Sequence, residues 1–343
     1  MVPVSFDLFS DASTSLVKQY LSAELFNQLK DKVTATGFTL EKALQSGIIN
    51  PDSAIGIYAG DAQSYQCFSS IFIPIILHYH GVNLGKKHST DIHLVDFQPP
   101  DPEGKYIRSS RVRVARNISG FSFSNHIALA ERYRLEKQVV SVLSALGGDL
   151  KGSYCPFEHC ESSQFKLLKQ QQLTFEKGDR FQDAAGINAD FPKGRGIFYS
   201  DDRRLRVWLN EEDHLRIISQ ETSADLAGLF NHLTKAILEL EKKLPFVRDE
   251  RFGYLSSCPT NIGTSMRAGV HIQLEKLGQR KELLSSITKG HDLQIRGTQG
   301  EKTRVENNVF DISNSRRLGI SEVDIITGLN EGLKALIDAE EKL

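Results

Sequence analysis

The stretch Ser256–Ile272, SSCPTNIGTSMRAGVHI, joins a cysteine and a turn of small residues to an alternating segment. In that segment Val270 and Ile272 face one way and His271 faces the other, because successive strand side chains alternate. Cys258 stands between hydroxyl residues, and Arg267 precedes the alternation. The stretch therefore predicts a strand with one apolar face, close to a cysteine and an arginine of chemical interest.

The patterns around this stretch combine strands with amphipathic helices. Residues 196–210 predict a hairpin that turns at Asp201 and Asp202, and residues 221–244 predict a helix with one leucine-rich face. Near the end, Ser321 is followed three residues later by Asp324, which is typical of a helix N-terminus. Because strands and helices do not repeat as regular βαβ units, these elements indicate an α+β domain built on an antiparallel sheet.

The N-terminal part predicts helices only. Apolar residues from Leu16 to Val33 recur with a helical period, and an apolar segment is expected to be helical from Pro74 until Gly81. Prolines and charges then replace periodicity around residues 96–106. We therefore predict an all-α domain over residues 1–95, a linker over 96–105 and an α+β domain over 106–343.

Composition excludes several classes of function. The chain has 343 residues, 40% of them hydrophobic, and 42 basic against 43 acidic side chains give a net charge of −1. This balance predicts no binding to nucleic acid or to an anionic membrane. The N-terminus shows no targeting pattern, so a cytoplasmic protein is expected. In a chain of this length four cysteines do not predict a disulfide scaffold, and we expect them to be reduced: Cys67, Cys155, Cys160 and Cys258.

Few familiar motifs occur, but arginines recur at strand ends and in loops. The sequence lacks a phosphate loop, and Cys155, His159 and Cys160 have no second pair of zinc ligands at suitable spacing. The noted arginines are Arg111, Arg113, Arg216, Arg267 and Arg296. Each alone is compatible with a solvated ion pair. Together they offer guanidinium groups that could bind a triphosphate bidentately.

Four segments together resemble the phosphagen (guanidino) kinases, and within them the arginine kinases: CPTNIGTSMRAGVHI, VWLNEEDHLRIIS, IRGTQGE and DISNSRRLG. The resemblance runs nearly end to end. It implies a small all-α N-terminal domain and a larger C-terminal domain with an antiparallel β-sheet flanked by helices. The implied reaction is reversible transfer of the γ-phosphoryl group of MgATP to the guanidino group of L-arginine, which buffers high-energy phosphate. The implied partners are ATP or ADP with Mg²⁺ and L-arginine, in a monomer or homodimer.

The resemblance also assigns roles to residues. The five arginines match the phosphate-binding set, and His271 matches a residue beside the adenine ring. Glu212 and Glu301 match the carboxylates that hold the guanidinium, and Glu211 matches a residue that reaches magnesium through water. Cys258 matches the reactive cysteine of the family, expected as a thiolate whose pKa is lowered by a hydrogen bond from Thr260.

Substrate choice is assigned to the loop DSAIGIYAGD. By resemblance, its backbone amides hold the amino-acid carboxylate, Tyr58 adds a hydroxyl group, and Asp52 pairs with Arg180 when the domains close. The amides belong to Ser53, Ile55 and Gly56. Glu301 favours arginine as the substrate, since creatine kinases carry an apolar residue there.

Two positions depart from the family pattern. Ala54 replaces a glycine of the specificity loop, and Gln172 stands where a second histidine often lies near the adenine. Two alternatives stay open: a kinase for another guanidino compound, such as taurocyamine or lombricine, and a nucleotide-binding regulator without catalysis.

Overall fold

The computed structural model describes residues 9–83, 85, 87–297 and 307–343. Helices α1 to α5 come first: Leu16–Tyr20, Ala23–Leu29, Leu40–Ile49, Ser64–Cys67 and Ser69–His80. The predicted helical character of the N-terminal part is confirmed within the described residues.

Two helix boundaries in this part differ from the prediction. The periodic run from Leu16 is divided into α1 and α2, because the Ser22 side chain accepts a hydrogen bond from the backbone of Leu25 and starts a new helix. Helix α5 begins at Ser69, five residues before Pro74, so Pro74 lies inside the helix. Its end at Gly81, in the left-handed region at φ 61°, agrees with the prediction.

The C-terminal part is built on one large antiparallel sheet. The strands β1 to β10 are Ile107–Arg116, Gly152–Pro156, Gly196–Ser200, Leu205–Leu209, Leu215–Glu221, Arg248–Asp249, Gly253–Tyr254, Met266–Gln273, Leu293–Arg296 and Val309–Asn314. Eight of them form a sheet in the order β2-β3-β4-β5-β1-β8-β10-β9, and β6 pairs with β7 separately. The predicted hairpin is β3 and β4, and the predicted antiparallel sheet is confirmed.

Most helices of the C-terminal part pack on this sheet, whereas the helix Arg180–Ala184 contacts α3 of the N-terminal part. Helices α6 to α11 are Leu129–Leu143, Ser162–Gln170, Arg180–Ala184, Leu226–Glu241, Lys281–Gly290 and Glu322–Lys342. The leucine-rich face of α9 is buried, as predicted. Ser321 and Asp324 form the expected capping box at the start of α11. The sheet flanked by helices therefore agrees with the predicted fold class.

Side chains along β1 point alternately to the two faces of the sheet, which separates apolar core residues from arginines. Val112 and Val114 are buried in the main apolar core with residues of α9 and α11, whereas Arg111 and Arg113 alternate with them and are only partly buried. A second core joins the N-terminal helices to residues from the other part of the chain, among them Phe252 and Ile262. The sheet thus covers one face with helices and presents arginines on the other.

The segment predicted as a linker is anchored at its end. Asp101 is buried, and its carboxylate accepts hydrogen bonds at 2.7 Å from the backbone N–H groups of Tyr106 and Ile107. This carboxylate fixes the approach to β1. The domain boundaries at residues 95 and 106 stay a prediction.

The expectation of reduced cysteines is wrong for one pair. Cys155 and Cys160 form a disulfide, because the turn after β2 brings their Cα atoms to 5.7 Å. Cys67 and Cys258 are free thiols. Among the described residues, no helix has the length and apolar character required to cross a bilayer.

Candidate active site

Neighbouring strands bring all five predicted arginines onto one face of the sheet. Arg111 and Arg113 lie on β1, and Arg113 stands directly opposite Arg267 on β8. Arg216 comes from β5, where it is paired with Ala115 of β1. Arg296 ends β9 and lies opposite Asp311 of β10. These strands line a cleft of about 790 Å³ that includes all of these arginines except Arg216.

The arginine cluster is electrostatically unfavourable by itself. Burial, followed by repulsion from Arg216 and Arg206, lowers the pKa of Arg111 to about 10. Burial and then the charges of Arg216, Arg111 and Arg267 hold the pKa of Arg113 well below its usual range. Crowded, partly desolvated cations of this kind are stabilised by an anion placed among them. The cleft is therefore suited to a polyanionic ligand.

Strand β4 adds two residues that the sequence had not assigned to the site. The Trp208 ring lies 5.8 Å from the guanidinium carbon of Arg111 and 5.4 Å from that of Arg216. Arg206, on the same face, lines the cleft and donates from Nη1 to the Gln172 carbonyl oxygen at 3.1 Å. The alternation of Arg206 and Trp208 in LRVWLN could have indicated both residues.

His271 occupies the other end of the cleft. Its Nδ1 lies 3.0 Å from the Ser109 hydroxyl oxygen, and its ladder partner on β10 is Asp311. Gln172 also lines the cleft, with its backbone in the left-handed region at φ 54°. The two positions assigned to the adenine by resemblance thus border one cleft.

The acidic turn after β4 lies beside the arginines. Arg216 Nη2 is 2.8 Å from Glu211 Oε2 and 3.3 Å from Glu212 Oε2. Glu212 is buried, and burial together with the charges of Asp213 and Glu211 raises its pKa to about 8. A buried carboxyl group with a pKa near neutrality can hold or release a proton in this pH range.

Asp213 ties the acidic turn to the cysteine segment. Its Oδ1 accepts hydrogen bonds from Asn117 Nδ2 at 2.7 Å and from the Ser257 backbone N–H at 2.8 Å. The Ser257 hydroxyl group donates to the Glu212 carbonyl oxygen at 3.1 Å. These bonds fix Glu212 relative to Cys258. Sequence reasoning missed this role because Asp213 and Ser257 are 44 residues apart.

Cys258 is buried, with its Sγ 3.1 Å from the Thr260 hydroxyl oxygen. The sequence predicts a thiolate held by this hydrogen bond, which favours the ionised form. Burial and the neighbouring Glu212 outweigh it, however, and raise the pKa to about 12. Near neutral pH Cys258 is therefore a neutral thiol unless a positive charge lies beside it.

The N-terminal loop contacts this cysteine segment. The Ala59 N–H donates to the Ser257 carbonyl oxygen, and the Tyr65 hydroxyl group donates to the Ser256 carbonyl oxygen, each at 2.8 Å. Burial and then the nearby Cys258 and Glu212 raise the pKa of Tyr58, so its hydroxyl group is neutral and able to donate. The predicted specificity loop and the predicted catalytic residues thus meet.

Two loop amides predicted to bind a carboxylate are engaged within the loop. The Ser53 N–H donates to the Asn50 carbonyl oxygen at 3.0 Å, and the Gly56 N–H donates to the Ser53 hydroxyl oxygen at 3.1 Å. Ile55 is buried between them. Gly56 has φ 73°, and a Cβ there would lie 2.6 Å from Val17 Cγ1, so only glycine fits.

Asp52 and Arg180, the pair predicted to link the two parts of the chain, are in contact. Arg180 Nη2 donates to Asp52 Oδ2, and its Nη1 donates to Asn50 Oδ1 at 2.9 Å. Both partners are about half exposed. The remaining predicted residue, Glu301, lies outside the described residues.

Comparison with known proteins follows the two parts of the chain. Residues 11–77 match the family model of the ATP:guanido phosphotransferase N-terminal domain, and residues 134–343 match that of the C-terminal catalytic domain. An arginine kinase of Penaeus monodon is 44% identical over 332 residues, covering 96% of this chain and 93% of the relative. One of Anthopleura japonica is 43% identical over 334 residues, and this chain spans 47% of its length.

Solved structures of the same family share the fold. A lombricine kinase structure superposes with a TM-score of 0.91 at 31% identity, covering 96% of this chain and 93% of that one. The duplicated taurocyamine kinase from Schistosoma mansoni, with bound transition-state-analogue components, superposes with a TM-score of 0.92 at 33% identity. The match covers 98% of this chain and 48% of that one. With both family models matched and the fold shared, the chain belongs to the ATP:guanido phosphotransferase family, the phosphagen kinases.

Proposed function

We propose that this protein transfers the γ-phosphoryl group of MgATP reversibly to the guanidino group of L-arginine in the cytoplasm. The observation that carries the proposal is the meeting of three groups: the arginine cluster, the buried Glu212 with Cys258, and the N-terminal loop around Tyr58. The similarity to curated arginine kinases supports the choice of arginine. The reaction would let phosphoarginine buffer ATP.

The arginines would hold the nucleotide phosphates. Arg111, Arg113 and Arg267 crowd one face of the sheet, and Arg216 and Arg296 complete the predicted set. Phosphoryl transfer depends mainly on positioning and on neutralising charge at the transferring group. Burial and mutual repulsion, which lower the pKa values of Arg111 and Arg113, would be offset when phosphate oxygens bind. His271 would lie beside the adenine.

Glu212 would orient the guanidinium and accept its proton. Its pKa of about 8 is raised by burial beside two carboxylates, and a bound guanidinium would lower that pKa by stabilising the anion. Cys258 would pair with the same guanidinium as a thiolate, because the positive charge would offset the burial and the Glu212 charge that raise its pKa. Glu301 is proposed as the second carboxylate.

Magnesium would arrive with the nucleotide. Glu211 offers one carboxylate beside Arg216, and among the described residues no group of three metal-ligating side chains occurs. Such a donor set suits Mg²⁺, which keeps several waters and binds mostly to substrate phosphates. When bound, the ion supplies charge neutralisation on the phosphate oxygens. Glu211 would hold a water molecule of the ion's hydration shell.

The N-terminal loop would select the substrate. The amides of Ser53, Ile55 and Gly56 and the hydroxyl group of Tyr58 would bind the amino-acid carboxylate. To do so, the Gly56 N–H must leave the Ser53 hydroxyl group that it now contacts. Asp52 and Arg180 would hold the two parts of the chain together around both substrates.

A second candidate is a kinase for another guanidino compound. The structural similarity to lombricine and taurocyamine kinases favours it, as does Ala54 in the substrate loop. Both compounds differ from arginine in the acidic group that the loop would bind.

A coupled assay with MgATP and a panel of guanidines separates the candidates. We expect the highest kcat/KM for L-arginine, with phosphoarginine identified by ³¹P NMR. A higher value for taurocyamine or lombricine would replace the first candidate with the second. MgADP binding without turnover of any guanidine would indicate a nucleotide-binding regulator instead. Sedimentation would distinguish monomer from homodimer.

A further inference from the structure

A disulfide that the proposed reaction does not use lies behind one wall of the cleft, in the same apolar cluster as Trp208. Cys155 is the buried residue of strand β2 and is 2% exposed, whereas its partner Cys160 is partly exposed. The chain then enters α7 and continues along the cleft, whose wall includes Lys169, Gln172, Thr174 and Glu176. We term residues 160–176 the cleft-side segment.

The two ends of the cleft-side segment are held in different ways, and its middle packs through the buried side chains of Leu168, Leu173 and Phe175. Helix α7 has no side-chain hydrogen bond at its N-cap, and Leu168 is its only buried residue. At the other end, Arg206 Nη1 donates to the Gln172 carbonyl oxygen at 3.1 Å and Trp208 Nε1 donates to the Leu173 carbonyl oxygen at 2.7 Å. The disulfide is thus a covalent anchor at one end of the segment, and hydrogen bonds from β4 hold the other.

The disulfide and the cleft also share a small apolar cluster. Cys155, Leu168 and Leu173 are buried in it, and Cys160 and Trp208 pack against it. Trp208 in turn faces the guanidinium groups of Arg111 and Arg216. A change in packing at the sulfur atoms therefore reaches two cleft arginines through a single aromatic ring.

We propose that Cys155 and Cys160 form a redox modification site that sets the affinity of the cleft for nucleotide. The disulfide state holds the cleft-side segment in place, and the dithiol state loosens it and weakens binding. Cytosolic thiols keep most cysteines reduced, and disulfides that do form there are usually transient and redox-sensing. The inference rests on the proposed function in taking the cleft as the nucleotide site and in placing the protein in the cytoplasm.

Conversion of the disulfide into the dithiol state needs a small thiol such as glutathione. Its thiolate attacks Sγ of the partly exposed Cys160, the Cys155–Cys160 bond breaks, and Cys155 leaves as a thiolate that takes up a proton. A second thiolate attacks the mixed disulfide, releasing the Cys160 thiol and glutathione disulfide. Two protein sulfur atoms are reduced and two glutathione sulfur atoms are oxidised. The reverse reaction restores the protein disulfide.

Trp208 makes the test direct, because it is the single tryptophan of the chain. MgADP is titrated into the full chain, first oxidised with glutathione disulfide and then reduced with dithiothreitol, and Trp fluorescence and calorimetry report Kd. Differential alkylation and peptide mass mapping verify the state of all four cysteines. We expect reduction to raise Kd about three- to tenfold. Cys160→Ser should match the reduced protein and show no response to dithiothreitol.

The matched control is Cys67→Ser, which removes a free thiol of similar partial burial and should keep the full response. Equal MgADP affinity in the two verified states overturns the redox proposal and leaves the proposed function standing. A dithiothreitol response that persists in Cys160→Ser also overturns it, as do free thiols at both positions after oxidation. Failure to bind MgADP in either state overturns both proposals.

Discussion

Glu212 combines a buried position with four charged neighbours, and its proposed role is chemical rather than structural. Glu212→Gln keeps the shape and a hydrogen-bonding group but removes the proton acceptor and the charge opposite the guanidinium. We expect kcat to fall about 10²- to 10⁴-fold, with Kd for MgADP changed less than about twofold. Steady-state kinetics and nucleotide titration measure both values. Glu282→Gln, at an exposed position of α10, is the control.

The raised pKa of Glu212 also predicts how stability depends on pH. With a folded-state pKa of about 8 against an ordinary 4.5, the native state retains a proton that the unfolded state loses, so stability falls as pH rises between these values. Glu212→Gln cannot ionise. Its Tm relative to the parent should therefore increase from pH 5 to pH 8. A Tm difference independent of pH would show that the carboxyl group is ionised in both the folded and the unfolded state across this pH range.

Cys258 tests whether the site needs a thiolate. Cys258→Ala should lower kcat about tenfold or more and abolish inactivation by alkylating reagents, because Cys67 lies away from the cleft. Alkylation of the parent should be slow, since the thiol is buried with a pKa near 12. Rapid alkylation of the parent at neutral pH would contradict that assignment.

At the scale of elements, the approach to β1 depends on one buried carboxylate. Asp101→Ala removes the acceptor for three backbone N–H groups, those of Lys105, Tyr106 and Ile107. We expect a loss of about 2–4 kcal/mol in the free energy of unfolding, measured by urea denaturation. Asp96→Ala, an exposed change in the same segment, should stay within about 0.5 kcal/mol. Equal effects of the two variants would refute the anchoring role.

Elements with strong local patterns were predictable from the sequence, and those fixed by long-range contacts were not. The alternation around Val270 and the capping box at Ser321 specify β8 and α11 locally. The break between α1 and α2 depends on one serine cap inside an otherwise continuous period. The disulfide depends on how the turn after β2 folds, and spacing alone does not determine that.

At the scale of the whole molecule, the Asp52–Arg180 pair links the two parts of the chain. Because both side chains are about half exposed, Arg180→Ala should change stability by less than about 1 kcal/mol. It should nevertheless raise KM for arginine several-fold, since closure around the substrates loses one contact. Lys235→Ala, which breaks the exposed Lys235–Asp149 pair, is the matched control. Unchanged KM in Arg180→Ala would remove this pair from the mechanism.

The molecule as a whole also shows where sequence reasoning about the site ends. Resemblance supplied the residue types, and the register of β1 against β8 places Arg113 opposite Arg267 as one cluster. The network of Asp213 with Asn117 and Ser257 emerges only in the folded chain. Their side chains belong to segments far apart in sequence, and no local pattern connects them.

The contacts of Ala59 with the Ser257 carbonyl oxygen and of Tyr65 with the Ser256 carbonyl oxygen have a practical consequence. Both acceptors are main-chain atoms, and one of the donors is too, so the junction makes few demands on side-chain identity at these positions. A chimera that carries the N-terminal helices of a lombricine kinase on the remainder of this chain should therefore keep both hydrogen bonds if it retains Tyr65, and its helices must also match the apolar core that the two parts share. If the N-terminal loop selects the substrate as proposed, exchange of the N-terminal part would direct phosphoryl transfer to a new guanidino acceptor and leave the arginine-lined cleft unchanged.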